Sequence, residues 1–171
     1  MSTILDLSIA ANTDDICVLW RQADTRWEID AQEFIGSFTT LYKNKCGIGL
    51  RWEGATIPKG ATIVTAYVTF TASANRSATT VNARITGDKE VGAAAWGTLA
   101  NYQARRGTVV GGANNNYITT AQVDWDAIGA WTSGATTNAI SPEIKTIIQE
   151  LVNQATWPAD GAGGIIALWI D

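Results

Sequence analysis

Few of the 171 residues carry chemistry, and those that do are acids, arginines and aromatic rings. Asp124 and Asp126 flank Trp125 in the string VDWDAIGAW, and strand geometry puts both carboxylates on one face. Two carboxyls at the right separation equip a site for glycoside hydrolysis, although plain alternation along a solvated strand generates the same pair. Arg105-Arg106 is the one adjacent basic pair. It follows Tyr102 and lies within reach of Trp96 in the sequence. Its bland reading is a solvated loop. Its sharper reading is an anchor patch, because Trp, Tyr and Arg dominate interface energetics and stack on flat ligands. Asp14-Asp15, with Asp6 or Asp171, offer oxygen ligands of the kind calcium takes, but the DxDxDG spacing is absent. No metal and no cofactor is assigned. Cys17 and Cys46 have no CxxC spacing, so they read as two thiols of a reducing compartment, with a single bridge as the alternative.

Composition narrows the chemistry further. Histidine is absent, which removes the commonest general base and metal ligand together with Ser-His-Asp, Cys-His and HExxH arrangements. The balance of 12 basic and 16 acidic residues gives a net charge of −4, with no basic surplus for phosphates. Nucleic acid and anionic membranes are therefore poor partners. At 46% hydrophobic and 16% charged, the chain is ordered, with a polar surface built largely from Thr, Ser, Asn and Gly. The start, MSTILDLSIAANTDD, has no basic n-region, and no later stretch is apolar enough to span a bilayer.

The elements that must position these residues are mostly strands. Residues 16–20 read as a short buried strand, 47–52 (GIGLRW) as a loosely alternating one, and 164–170 (GIIALWI) as a late one. In 61–71 (ATIVTAYVTFT), Val64, Ala66, Val68 and Phe70 are the expected core face, opposite Ile63, Thr65, Tyr67, Thr69 and Thr71. In 79–86, Val81, Ala83 and Ile85 alternate with Asn82, Arg84 and Thr86, as in a sheet with one solvated face; 118–125 follows as another strand. One segment is helical by period. Ser141-Pro142-Glu143 offers an N-cap, and Ile144, Ile147, Ile148, Leu151 and Val152 recur at helical spacing over about three turns, leaving Lys145, Thr146, Gln149, Glu150 and Asn153 outside. Residues 92–117 are rich in Gly, Ala and Asn and read as one or two long loops. The expected fold is all-β: an antiparallel, jelly-roll-like β-sandwich with one short helix near 141–153.

The strings IGLRWEGATIPKGATIVTAYVTFTA, VNARITGDKE, VDWDAIGAWTSG, SPEIKTIIQELVNQATW and GGIIALWI, in that order through residues 47–170, resemble a jelly-roll β-sandwich module that recurs in bacterial surface proteins and tailed-phage virion proteins. Such modules are similar to carbohydrate-binding domains. Each motif also has a structural explanation: 57–61 (IPKGA) is a turn into a strand, and Trp125, Trp131 and Trp157 suit edge and core packing. A shared fold hosts unrelated roles.

Eight tryptophans are more than one sandwich core readily hides, and Trp20, Trp27 and Trp52 belong to the N-terminal third or its junction with the rest. Candidate partner- or ligand-binding residues are therefore Trp96, Tyr102, Arg105, Arg106, Trp20 and Trp27. Residues 1–46 read as a docking arm or as added edge strands, and 47–171 as the sandwich. The resemblance implies a non-enzyme: a bacteriophage virion structural protein, either capsid cement or decoration or tail-associated. It would be assembled in the host cytoplasm as a homo-oligomer and bound to the major capsid or tail protein. The alternative is a carbohydrate-binding or host-adhesion module in which Trp96 or Tyr102 stacks on a surface glycan and Asn114 to Asn116 supply hydrogen bonds.

Overall fold

A computed structural model describes residues 3–21, 26–30, 46–75, 81–90, 92–106, 117–136 and 139–171, apart from the side chains of Trp20, Arg21 and Asp30. The described chain is mostly β. Six strands, β1 (Asp15–Arg21), β2 (Arg26–Asp30), β3 (Cys46–Glu53), β4 (Val81–Asp88), β5 (Ile118–Ile128) and β6 (Ile165–Ile170), form one antiparallel sheet in the order β2-β1-β3-β6-β4-β5. Two short helices join them, α1 (Leu99–Arg106) and α2 (Lys145–Val152).

The sheet is covered on both faces, and the side-chain period of two decides what each face holds. On the first face, Ile48 and Leu50 of β3, Ala83 and Ile85 of β4, Trp125 of β5 and Ile166, Leu168 and Ile170 of β6 pack against Ile147, Ile148, Leu151 and Val152 of α2. Gly87 marks the closest approach of that helix: a Cβ there would stand 2.8 Å from the Ile147 side chain. On the second face, Ile16 and Val18 of β1 and Ala167 and Trp169 of β6 lie under Ala93, Trp96 and Tyr102. β6 alternates between two apolar layers, and this is why GIIALWI is apolar without a break.

Residues 61–72 do not join the sheet as a regular strand. They run beside 134–136 and 139–144, joined by Phe70 N–H to Ala139 C=O (2.8 Å), Ser141 N–H to Val68 C=O (2.8 Å) and Ile144 N–H to Ala66 C=O (2.9 Å). Together with α2 they make the layer over the first face. Ala66, Val68 and Phe70 turn inward as their period requires, but Val64 is exposed while Ile63 packs on the core. The parity slips by one residue at 64–65. The cause is Gln149 of α2, whose side chain accepts from the Ile63 N–H and donates to the Ala61 C=O, both at 2.9 Å.

Two expectations about helices are corrected. α2 has two turns rather than three, and Ser141 does not cap it. The Ser141 hydroxyl accepts from the Val68 N–H at 2.9 Å, so its oxygen serves the neighbouring extended segment. The second helix, α1, lies inside 92–117, where loops are expected. Its N-cap is Thr98, whose hydroxyl accepts from the Asn101 N–H at 3.2 Å, and Arg105 and Arg106 occupy its last turn, where cations favour the dipole. The Asn-rich stretch 111–116 lies outside the described residues. β1 and β2, from the N-terminal third, belong to the same hydrogen-bonded sheet as β3, with Cys17 opposite Ile48.

Candidate functional site

Charged and aromatic residues singled out by sequence converge on the second face, but inside the protein. Trp96 is fully buried. It lies on Gly49, where a Cβ would come within 2.8 Å of its ring, and it meets Trp169 and Tyr102 at ring separations of 5.8 and 6.0 Å. The Arg105 guanidinium stacks over Trp96, 3.7 Å from the ring centroid, while its Nε donates to Asp88 at 2.7 Å and its Nη1 to the Ala94 carbonyl at 2.6 Å. Glu90 adds a carboxylate 3.3 Å from the same side chain. Arg106 pairs with Asp171 at 2.5 Å and sits 5.8 Å from the Trp169 centroid. Arg51 of β3 completes the set: it pairs with Asp14 and, at 2.5 Å, with Glu53, and its Nε donates to the Ala93 carbonyl at 2.6 Å.

The solvated-loop reading of Arg105-Arg106 is thus replaced by a buried helical pair. Each guanidinium neutralises a carboxylate from a distant segment, and together they clamp α1 and the preceding loop onto the sheet. Removing one partner of such a pair leaves a buried charge unmatched, at a cost of roughly 3–5 kcal/mol. Arg over Trp in a desolvated setting contributes about 2 kcal/mol more.

The electrostatics follow burial. Desolvation pushes the Asp88 carboxyl up to about 6 against the pull of Arg105 and the Glu90 N–H. Tyr102 is raised well above the usual phenol value by its complete burial, with Asp171 adding to the effect. Arg51 loses basicity to desolvation but regains more from its bonds to Glu53 and Asp14, ending above its ordinary value. Asp15 is raised by burial, with the Asp14 charge beside it. Among the described residues, the Trp96 and Trp169 indole N–H groups and the Tyr102 hydroxyl have no hydrogen-bond partner.

The other candidates lie apart. Asp124 and Asp126 share the solvent side of β5, as alternation requires, and Asp124 accepts from Arg84 Nε at 2.7 Å. That bond, more than any other influence, raises the Arg84 pKa. Trp27 is half-buried and packs at the margin of the Trp96 cluster, opposite Trp20 in the β1–β2 ladder. The Trp20 side chain lies outside the described residues. Phe70, Trp125 and Trp131 form an aromatic row with ring separations of 5.8 to 6.1 Å, and the Trp157 Nε1 donates to the Ile57 carbonyl at 2.8 Å. Cys17 and Cys46 are buried beside Leu19 and are not joined in a disulfide. Asp14 and Asp171, whose carboxylates are of the kind calcium takes, face Arg51 and Arg106. Among the described residues no group of three or more Cys, Asp or Glu is placed to hold a metal ion, and no helix is long and apolar enough to cross a membrane.

Two exposed features were not singled out by residue. Residues 3–10 run extended with Leu7 and Ile9 against the core, Ile4 92% exposed and Leu5 41% exposed, and no backbone hydrogen bond ties them to other described residues. The segment 64–72 presents Val64 and Tyr67 to solvent. The alternation in ILDLSI was the available signal for the first, and the uncharged run from Gly60 to Asn75 for the second. No family model, no curated protein and no solved structure matches this chain.

Proposed function

We propose that this chain is a non-enzymatic structural protein of a tailed-phage virion, a capsid cement or decoration protein or a tail-associated one. It docks on a larger protein assembly through its N-terminal segment and long loops. The observation that carries this reading is the arm at 3–10, which shows solvent Ile4 and Leu5 and makes no backbone hydrogen bond among the described residues. Leu7 and Ile9 of the arm pack on the core, but Ile4 and Leu5 gain nothing in a monomer, whereas a partner surface satisfies both these side chains and the backbone. The sandwich reading is supported by the layer of 61–72, 134–136 and 139–144 over the first face of the sheet, read as the counterpart of a second sheet. The non-enzymatic reading is supported by Arg51, Arg105 and Arg106, whose ion pairs occupy Asp14, Asp88 and Asp171.

The alternative, a carbohydrate-binding or adhesion module, requires an aromatic face open to a sugar. Trp96 and Tyr102 are buried, so that reading now falls on Tyr67.

The test uses particles from the native source. Full-length protein is expected to co-sediment with them and to occupy regular positions in electron micrographs, and a chain lacking residues 1–10 is expected to fold but not to bind. The deletion stops before Thr13, whose carbonyl accepts from the Trp96 N–H at 2.8 Å. Failure of the full chain to bind, or binding undiminished by the deletion, overturns the proposal; binding to a glycan array that is lost in Tyr67→Ala selects the alternative.

A further inference from the structure

We propose that residues 64–72 are an open strand edge that pairs, antiparallel, with the same edge of a second copy of this chain. The backbone accounting comes first. Val68 uses both its N–H and its C=O on Ser141, Phe70 gives its N–H to Ala139, and Ala66 receives the Ile144 N–H. The even positions therefore face 139–144. The backbone groups of Thr65, Tyr67, Thr69 and Thr71 point the other way, and none of them is hydrogen-bonded in the described structure. Every second residue over this stretch thus offers one donor and one acceptor along a line, the template on which another strand adds.

The two outer edges of the main sheet are protected. β2 carries Arg26 and Glu28, and the β5 amides of Thr120 and Ala121 are taken by the Glu150 carboxylate of α2 at 2.8 and 2.7 Å. The 64–72 edge has no such protection: VTAYVTFTA holds no charge, no proline and no glycine, and is rich in β-branched and aromatic residues. It also shows solvent Val64 and Tyr67, with Ile140 beside it on the paired segment.

A second copy fits this edge for two reasons. An antiparallel two-fold pairing is self-complementary, so each donor of one edge meets an acceptor of its equivalent. With the axis at Val68, Tyr67 stands opposite Thr69 of the second copy and Thr65 opposite Thr71, pairs of the aromatic–Thr and Thr–Thr type that stabilise sheets. The edge is also neutral although the chain carries −4, so two copies meet there without like charges opposed. A heterologous partner recognised by charge would find nothing to read. This pairing stands independently of the virion reading.

The experiment is sedimentation equilibrium of the full chain over roughly 1–100 µM, with amide exchange read at two concentrations. The expected species is a dimer of the 18.2 kDa chain. Protection of the Thr65, Tyr67, Thr69 and Thr71 amides should grow with concentration while the Val68 and Phe70 amides stay protected throughout. The double variant Y67K/T69K, at exposed positions, sets like charges directly opposite each other across the two-fold axis and should weaken the dimer at least about tenfold, with the circular dichroism spectrum retained. A wild-type chain that stays monomeric, a dimer indifferent to both substitutions, or amide protection independent of concentration overturns the proposal. A monomer that dimerises only after removal of residues 1–10 does so too, because the chain's own arm then occupies the edge.

Discussion

Trp96→Ala separates a ring that holds the fold from a ring that holds a ligand. Trp96 is fully buried between Gly49 below, Trp169 and Tyr102 at its sides and the Arg105 guanidinium above. Truncating a buried Trp to Ala costs about 3–5 kcal/mol through lost transfer energy and an unfilled cavity. The loss of the stack on Arg105 puts the expected value at the upper end of that range. For a chain of this size each kcal/mol lowers the midpoint by about 2–4 °C, so the variant should melt about 10–20 °C below wild type. Trp96→Phe, which keeps most of the contact but less of the stack, should fall between. Urea titrations followed by far-ultraviolet circular dichroism give the free energies, and near-ultraviolet spectra report the remaining tryptophans. A loss below about 1 kcal/mol, the level of an ordinary surface substitution, would refute the packing argument and return Trp96 to the list of ligand-binding rings.

Gly49→Ala should cost about 1–3 kcal/mol, because its Cβ would lie 2.8 Å from Trp96 and 2.9 Å from Ile16, whereas Gly129→Ala, with open space around it, should change stability by less than about 0.5 kcal/mol; thermal melts of the two variants check the contrast. Tyr102→Phe removes a buried hydroxyl that has no hydrogen-bond partner among the described residues, and should be neutral or stabilising by up to about 1 kcal/mol in the same melts. The Asp88 carboxyl should titrate near 6 by carbon-13 NMR. Its folded pKa exceeds the ordinary value of 3.8, so its contribution is complete below pH 3.8 and is lost as pH rises through 6. The loss is at most about 3 kcal/mol. Stability measured from pH 4 to 7 should therefore fall more steeply in wild type than in Asp88→Asn, and equal slopes would exclude Asp88 as the source.

The sheet was legible where one physical rule dominates. The alternation of Val81, Ala83 and Ile85 with Arg84 marks β4, although Thr86, expected on a solvated face, is buried, and the unbroken apolar run of β6 marks its burial on both faces. The reading failed where tertiary partners overrode the local signal. Ser141 looks like an N-cap because Pro142 and Glu143 follow it, yet the Val68 N–H takes its oxygen. Residues 61–71 alternate like a single strand, but Gln149 captures Ile63 and shifts the phase. Arg105-Arg106 looked solvated because charge usually is. Their burial depends on Asp88 and Asp171, 17 and 65 residues away, which no local window reveals. Thr98, followed three residues later by Asn101, was the overlooked mark of a helix start. The edge at 64–72 carries no acid, base or thiol, and so escaped a search for chemistry.

The place of β6 bears on biosynthesis. It is synthesised after the other five described strands, yet it lies in the middle of the sheet, between β3 and β4. Until residues 165–170 emerge, the β1–β2–β3 and β4–β5 halves are separate ribbons, each with a bare flank and an uncovered greasy side. Synthesis therefore passes through a vulnerable interval that ends in one late insertion. Products truncated before residue 165 should be the species that chaperones retain, while chains that extend past residue 170 escape them.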